Sequence, residues 1–355
     1  MMRVLYINVH NPAYPRNRLI RGYLAEKGVH IDVVARSNSS SFVLDSLKLV
    51  WRSAFRREDY DLIILSELGV QFSLAAKVVA MRFRCALIID AFVGMHETNV
   101  GDWAEVAQDS LKSRIYALVD RIASRVSAFR LIDTDVRAAQ LDACGGSPAV
   151  VIPVGAPTWA RPRPSGVKTA GLRLLFYGNY APLHGVPYVL ERLTESRDLV
   201  DSVVFVGDGS LRPAIEREAR ALELTDVIQF KGSVPETGLA DLIAECDVVL
   251  GIFGTSEKAQ GVIANKVWQG VASGKIVITR KSAALTEISE IAPLSILTVD
   301  LSNPGSFDDA LVEAGRRVAC GEVPAATVAA DLDAYVYRRM EIAFSTMVEL
   351  VESRR

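Results

Sequence analysis

Residues 153–178 read PVGAPTWARPRPSGVKTAGLRLLFYG, and this stretch decides how the chain is divided. Its first part, 153–171, holds four prolines and three glycines with no helical or alternating apolar period. Proline removes a backbone donor and glycine is costly to order, so the run reads as a linker. From Leu172 the pattern changes at once to LLFY, apolar on both faces of an extended chain. Strands buried on both faces belong to parallel sheets covered by helices.

The same rhythm runs on both sides of the break. Before it, short β-branched runs fall at 3–9, 30–35, 61–66, 86–91, 129–133 and 150–154, with helical patterns between them. After it they fall at 172–177, 202–206, 227–231, 247–253, 276–279 and 295–299. Six strands, a break and six strands predict an α/β fold of two tandem Rossmann-like domains facing a cleft. The divisions read as a first domain over 1–158, a linker over 159–171, a second domain over 172–330 and a C-terminal helix over 331–355. In that helix Val336, Met340, Ala343, Met347 and Leu350 share one apolar face, suited to packing on either domain.

Composition excludes several classes. Forty Lys plus Arg against 42 Asp plus Glu give a net charge of −2, which rules out a generally basic nucleic-acid binder. Cys85, Cys144, Cys246 and Cys320 are far apart with no CxxC pair. That excludes a disulfide scaffold and a zinc ribbon, and fits a reducing cytoplasm. No run reaches the roughly 18 apolar residues of a membrane span.

In open parallel sheets, ligands bind beyond the carboxyl ends of the strands. His10, His96 and His184 follow expected strands, whereas His30 begins one. The loop HNPAYPRNR (10–18) sets Arg16 and Arg18 at a helix start, where cations oppose the dipole. An anionic ligand would explain them, and so would simple solvation. The stretch DAFVGMHETNVGDW (90–103) gathers Asp90, His96, Glu97 and Asn99 near Trp103, a set that grips sugars or forms a polar surface loop. In VVFVGDGSLRPAIERE (203–218), Gly207, Asp208 and Gly209 lead into a helix capped by Ser210, an anion-binding layout. Arg212 stands where the dinucleotide fingerprint needs its third glycine, and the next strand, VIQFKG (227–232), ends on no acidic residue. A nicotinamide dehydrogenase is therefore a poor match. The stretch FGTSEKAQGVIANKVWQGVASGKIVIT (253–279) puts Lys258 in a turn and Lys266 and Gln269 on a helix. That arrangement suits a diphosphate and a ribose, or an ordinary amphipathic helix with both side chains exposed.

One further segment, LDSLKLVWRSAFRR (44–57), aligns Leu44, Leu47, Trp51 and Phe55 on one helical face with Lys48, Arg52 and Arg56 beside it. The pattern fits an interfacial helix on anionic lipid. The favoured expectation is that this apolar strip packs on the sheet, leaving a solvated basic edge.

The ordered pieces PAYPRNR, DAFVGMHET, LIDTD, VIPVG, FYGNYAPLHGV, VVFVGDGSLRPAIE, VIQFKGSVP and IANKVWQGVASGKIVI span nearly the whole chain. In this order and spacing the chain resembles the family 4 glycosyltransferases of the GT-B fold. The resemblance implies transfer of a hexose-type unit from a nucleotide-diphosphate sugar to a hydroxyl-bearing acceptor, with retention of configuration and no obligatory metal or other cofactor. It implies a donor held mainly by the second domain, an acceptor held mainly by the first, and a C-terminal helix crossing back.

The sequence departs from the family at Asn179 or Tyr180, where an Arg is usual, and at His184, where a Lys is usual. The two usual glutamates fall on Gly261 and Gln269, and IANK (263–266) resembles a variant pattern. On this reading His96, Lys266 and His184 are the catalytic candidates. Donor contacts fall to Gly178, Asn179, Gly185, Gly207, Asp208, Gly232, Lys258, Asn265 and Gln269. Arg280, Lys281 and a helix start near Thr286 are further candidates for the phosphates. Acceptor contacts fall to His10, Arg16, Asp90, Glu97 and Asn99. The expected partners are a nucleotide-sugar and a small-molecule, glycan or lipid-linked acceptor, with no nucleic acid. The expected location is the cytoplasm, with peripheral membrane contact left open. Two other classes stay open: a non-catalytic GT-B subunit that binds a partner or glycan, and a sugar-nucleotide epimerase.

Overall fold

The computed structural model describes residues 2–37, 39, 41–164, 170–322, 324 and 327–354. The chain forms two compact units, Met1–Val154 with Val336–Arg355, and Gly155–Tyr335. Part of the expected linker, 165–169, lies outside the described residues.

The first unit is built on a six-stranded parallel sheet in the order β2-β1-β3-β4-β5-β6. Its strands are β1 (Arg3–Val9), β2 (His30–Ala35), β3 (Leu62–Leu65), β4 (Ala86–Asp90), β5 (Phe129–Ile132) and β6 (Ala149–Val151). Between them run α1 (Pro15–Glu26), α2 (Phe42–Ala54), α3 (Ser73–Phe83), α4 (Leu111–Val126) and α5 (Asp135–Ala143). The central strands β3 and β4 are buried at every position, as their unbroken apolar runs require. Local signals set the helix ends. Pro15 opens α1 without a donor to lose, and Gly28 (φ +76°) stops the chain just beyond it. The Ser41, Ser110 and Thr134 side chains accept from backbone N–H groups at the starts of α2, α4 and α5. Right-handed crossovers put α2 to α5 on one face of the sheet and α1 on the other.

The second unit repeats the plan in the order β12-β11-β10-β7-β8-β9. Its strands are β7 (Leu172–Tyr177), β8 (Val200–Val206), β9 (Ile228–Lys231), β10 (Val248–Leu250), β11 (Ile276–Arg280) and β12 (Ile296–Val299). Its helices are α6 (Val186–Glu195), α7 (Arg212–Ala221), α8 (Glu236–Glu245), α9 (Glu257–Gly261), α10 (Asn265–Ala272), α11 (Thr286–Ser289) and α12 (Gly305–Cys320). The last helix, α13 (Val328–Glu352), begins in the second unit and from Val336 onward belongs to the first. There Val336, Met340, Ala343 and Met347 are buried, and Tyr337 and Phe344 meet Tyr23 of α1 edge-on at 5.2 and 6.1 Å. Leu350 is only half-buried, and Val351 takes the inner position.

The structure corrects two local expectations. Ser210 caps no helix: α7 begins at Arg212 after Leu211, with no side-chain cap. The apolar strip of α2 does not pack on the sheet either. The helix is seated by Leu49, Ser53 and Asp45, and Leu44, Leu47, Trp51 and Phe55 point outward, Trp51 66% and Phe55 76% exposed.

Candidate functional site

In the second unit the chain steps from β7 outward to β8 and later returns to β10 on the other side of β7. The carboxyl ends of β7 and β10 therefore flank a topological switch point, where open α/β sheets bind ligands. After β7 come Gly178, Asn179 and Tyr180, then a short turn, Pro182–His184, ending at Gly185 (φ +61°). This loop is laced to the end of β10. The Phe253 N–H donates to the His184 carbonyl at 2.9 Å and the Gly254 N–H to the Leu183 carbonyl at 3.0 Å. A Cβ on Gly185 would sit 2.3 Å from the Phe253 carbonyl carbon, so only glycine lets the two backbones meet.

Gly178 is the centre of the arrangement. A Cβ placed there would lie 2.8 Å from His184 Cε1, 3.4 Å from His184 Nδ1 and 3.4 Å from Lys266 Nζ. The loop after β7 and the start of α10 thus bring an imidazole and an amine to one point above a bare backbone. Both side chains rest on Phe176: Lys266 Nζ lies 3.8 Å from its ring centre, and His184 meets it edge-on at 5.4 Å. Both are buried, and among the described residues neither Lys266 Nζ nor His184 Nδ1 has a hydrogen-bond partner. Burial pushes the Lys266 amine well below the ordinary lysine range. Burial, and then the Lys266 charge, push His184 well below the ordinary histidine value.

Along α10, Asn265 Oδ1 and Gln269 Oε1 are also buried without a partner among the described residues. The expectation of an ordinary helix with exposed Lys266 and Gln269 is overturned, since both side chains face inward. Buried polar atoms left unpaired are costly, and they cluster where a ligand completes them. Phe176, which serves as the platform, went unread in the sequence, because inside LLFY it looks like any core residue.

The glycine turn after β8 is packed against this loop. A Cβ on Gly207 (φ +126°) would lie 2.0 Å from the Gly178 carbonyl, and one on Gly209 2.0 Å from the Asn179 carbonyl. The Arg212 guanidinium folds back to the Gly207 carbonyl and Asp208 Oδ1, both at 2.8 Å. Asp208 Oδ2 in turn accepts from the Ser233 N–H beside Gly232, and these bonds hold its carboxyl below the usual range. Asn179 is exposed, and Lys258 lies half-buried on α9. Arg280 donates to the Gly254 carbonyl and so ties two loops. The helix near Thr286 has only four residues, too short to present a useful dipole.

In the first unit most of the expected acceptor residues are engaged by groups of the unit itself. Arg16 and Asp90 are fully buried and paired, Nε to Oδ2 at 2.7 Å, and Arg16 also donates to the Ile152 carbonyl. Arg16 is therefore neutralised inside the unit instead of offered to an external anion. Glu97 pairs with Arg137 at 2.5 Å, and Asn99 donates to the Met95 carbonyl. The His96 ring meets Ser113 Oγ at 3.1 Å, and its backbone N–H donates to Asp120. His10 is exposed after β1.

At the switch point between β1 and β3 stands a residue missed in the sequence, Glu67. Its Oε1 accepts from Asn17 Nδ2 at 3.0 Å, and its buried Oε2 has no partner among the described residues. Burial, with the nearby Asp90 charge, raises its pKa to about 7. An acidic residue two positions after the fully apolar run LIIL was the available signal. Among the described residues no group of three or more His, Cys, Asp or Glu side chains gathers as a metal set.

Residues 171–315 match the family model described as glycosyl transferases group 1. No curated protein matches the chain. Among solved structures, the chain is similar to Alr3699/HepE of Anabaena, in complex with UDP and glucose, with a TM-score of 0.69 and 14% identity over 99% of this chain and 100% of that one. It is similar to a glycosyltransferase from Rickettsia africae, TM-score 0.63 and 10% identity, over 99% and 98%. It is similar to WaaG, a glycosyltransferase involved in lipopolysaccharide biosynthesis, TM-score 0.66 and 15% identity, over 98% and 99%. The chain has the two-sheet GT-B fold of these structures, and its second unit carries the match to the group 1 glycosyl transferase model.

Proposed function

We propose that the chain transfers a sugar from a nucleoside-diphosphate sugar to a hydroxyl-bearing acceptor with retention of configuration, and that the diphosphate is held at Gly178, His184 and Lys266. The observation that carries this reading is the buried, unpartnered Lys266 amine facing Gly178 beside His184. A buried amine with no carboxylate costs stability in the empty protein, and an incoming diphosphate supplies the missing countercharge. Gln269, one turn along α10, is assigned the ribose hydroxyls, and Asp208 and Gly232 the neighbourhood of the base.

In the proposed step the bond between the sugar's anomeric carbon and the phosphate oxygen breaks. A new bond forms from that carbon to the acceptor oxygen on the same face, and the departing phosphate takes the acceptor proton. The developing charge is met by Lys266, by the His184 ring as a neutral donor and by backbone N–H groups near Gly178. His96 is assigned to orient the transferred sugar or the acceptor. The reading uses no resident cofactor, so activity is expected to persist in excess chelator. Four free cysteines agree with a reducing cytoplasm as the place of reaction.

The test is a thermal-shift series with UDP, GDP, dTDP, ADP and CMP and their common sugars. A ligand at a hundred times its Kd adds about 2.7 kcal/mol to apparent stability. One nucleotide diphosphate is expected to shift the wild type and to leave Lys266→Met unmoved. No shift with any of them would favour the non-catalytic subunit. Conversion of a nucleotide-sugar without acceptor would favour the epimerase. Proton NMR of the first-formed product reads the anomer, and an inverted product would refute retention.

A further inference from the structure

In the first unit, α2, α3 and α4 lie side by side over one sheet face. Their outward surfaces are apolar. On α2 and its end these are Phe42, Leu44, Leu47, Trp51 and Phe55. On α3 they are Leu74, Val78 and Met81, and on α4 Leu111, Ile115 and Leu118, both at i, i+4, i+7 spacing. Among the described residues, twelve of eighteen exposed large hydrophobic side chains lie on these three helices or at the α2 end. Scattered exposure is normal, but concentration on adjoining helices marks an interaction surface.

The exposed charges on these three helices have one sign. Lys48 and Arg52 of α2, Arg82 of α3, and Lys112, Arg114, Arg121 and Arg125 of α4 are exposed. The two carboxylates of these helices turn inward. Asp45 accepts from Ser39, and Asp120 accepts from the Met95 and His96 N–H groups. Three neighbouring helices therefore show solvent only cations, in a chain whose net charge is −2.

We propose that the outer surface of α2, α3 and α4 docks on an anionic lipid bilayer, with Trp51, Phe55 and Leu47 entering the headgroup layer and Lys48 and Arg52 meeting lipid phosphates. The proposal uses no residue of the second unit and stands apart from the transfer reading. A second copy of the chain fits the same face poorly. A two-fold interface sets a patch against itself, so seven cations would face seven. An anionic bilayer matches both properties of the surface, apolar depth and cationic edge.

The test is flotation of the full-length chain with phosphatidylcholine vesicles and with vesicles carrying 30% phosphatidylglycerol. The wild type is expected to partition onto the anionic vesicles roughly tenfold or more better than onto the neutral ones, with the preference shrinking at high salt. Trp51→Ser with Phe55→Ser is expected to lose binding at all salt concentrations, and Lys48→Glu with Arg52→Glu to lose the anionic preference. These side chains are exposed, so thermal melts and nucleotide shifts should match the wild type. Wild-type chain that stays with the bulk solution, or serine variants that float as well as the wild type, would overturn the proposal. A dimer in light scattering that the serine variants dissociate, without vesicle binding, would assign the surface to a second copy.

Discussion

Replacing Lys266 by Met separates a binding residue from a structural one, because the two roles predict opposite stability changes. Methionine keeps the length of the stem and can lie on the Phe176 ring as an apolar contact. If the amine serves only a ligand, the empty protein gains stability when it is removed. The pH dependence fixes the sign. The folded-state pKa of Lys266 is depressed by burial below the ordinary 10.5. The penalty is fully present below the folded pKa and is relieved as pH rises from there towards 10.5. Over that window the unfolded chain binds a proton that the folded chain lacks, and wild-type stability climbs by up to about 1.4 kcal/mol per pH unit from this group. Lys266→Met lacks that climb, so its stability advantage is largest below the folded pKa of Lys266 and closes near pH 10.5. Turnover moves the other way. Loss of one preorganised donor to a developing charge costs roughly 10²–10³-fold, about 2.7–4 kcal/mol. Urea melts at pH 7, 8 and 9 with steady-state transfer assays measure both. A variant that is less stable at every pH, or that keeps wild-type kcat and nucleotide affinity, would refute the reasoning and make the lysine structural.

Binding of the cognate nucleoside diphosphate, at a pH between the depressed Lys266 value and 10.5, is expected to draw up to about one proton from solution, because the anion raises the Lys266 pKa. Titration calorimetry in two buffers of different ionisation heat measures it, and Lys266→Met should show less uptake. Gly178→Ala, whose Cβ would fall 2.8 Å from His184 Cε1, is expected to abolish nucleotide binding in a folded chain, read by fluorescence titration. Glu67, held near pKa 7 against an ordinary 4.5, binds a proton in the folded state that the unfolded chain has lost. Its share of stability therefore falls as pH rises from 4.5 to 7, and Glu67→Gln is expected to be more stable than wild type at pH 8 by up to about 3 kcal/mol in denaturant melts.

The alternation of strands and helices was legible because the inner strands are buried on both faces. Runs such as LIIL and VVFV are apolar throughout, and the break at 153–171 is rich in proline and glycine. Position along the chain also located the loops after β7 and β8. What the sequence could not give was direction. Lys266 and Gln269 have the spacing of an exposed pair but turn inward, since the helix start is packed over Phe176. Leu44 and Trp51 have the spacing of a core strip but turn outward, since Leu49 seats the helix instead. Arg16 looked available and is bound to Asp90, 74 positions away, a pairing that only the sheet creates.

The Phe176 ring explains how a lysine persists in this site without a carboxylate. A carboxylate would steady the empty protein but compete with the diphosphate for the same amine. An aromatic face favours the ammonium without neutralising it, and such contacts are worth up to about 2 kcal/mol when desolvated. Phe176→Leu removes that face, so the charged amine that meets the diphosphate becomes harder to form. Nucleotide affinity should fall by up to roughly 30-fold, the equivalent of that energy. The substitution also shrinks a core side chain packed on Tyr180 and Phe205, so stability falls in any background. A double-mutant cycle separates the two effects, because contacting residues do not add. In the Lys266→Met background, Phe176→Leu should still lower the melting temperature but should cost no further nucleotide affinity. An equal affinity loss with and without the lysine would show that the ring shapes the site by bulk alone, and the aromatic account of Lys266 would fall.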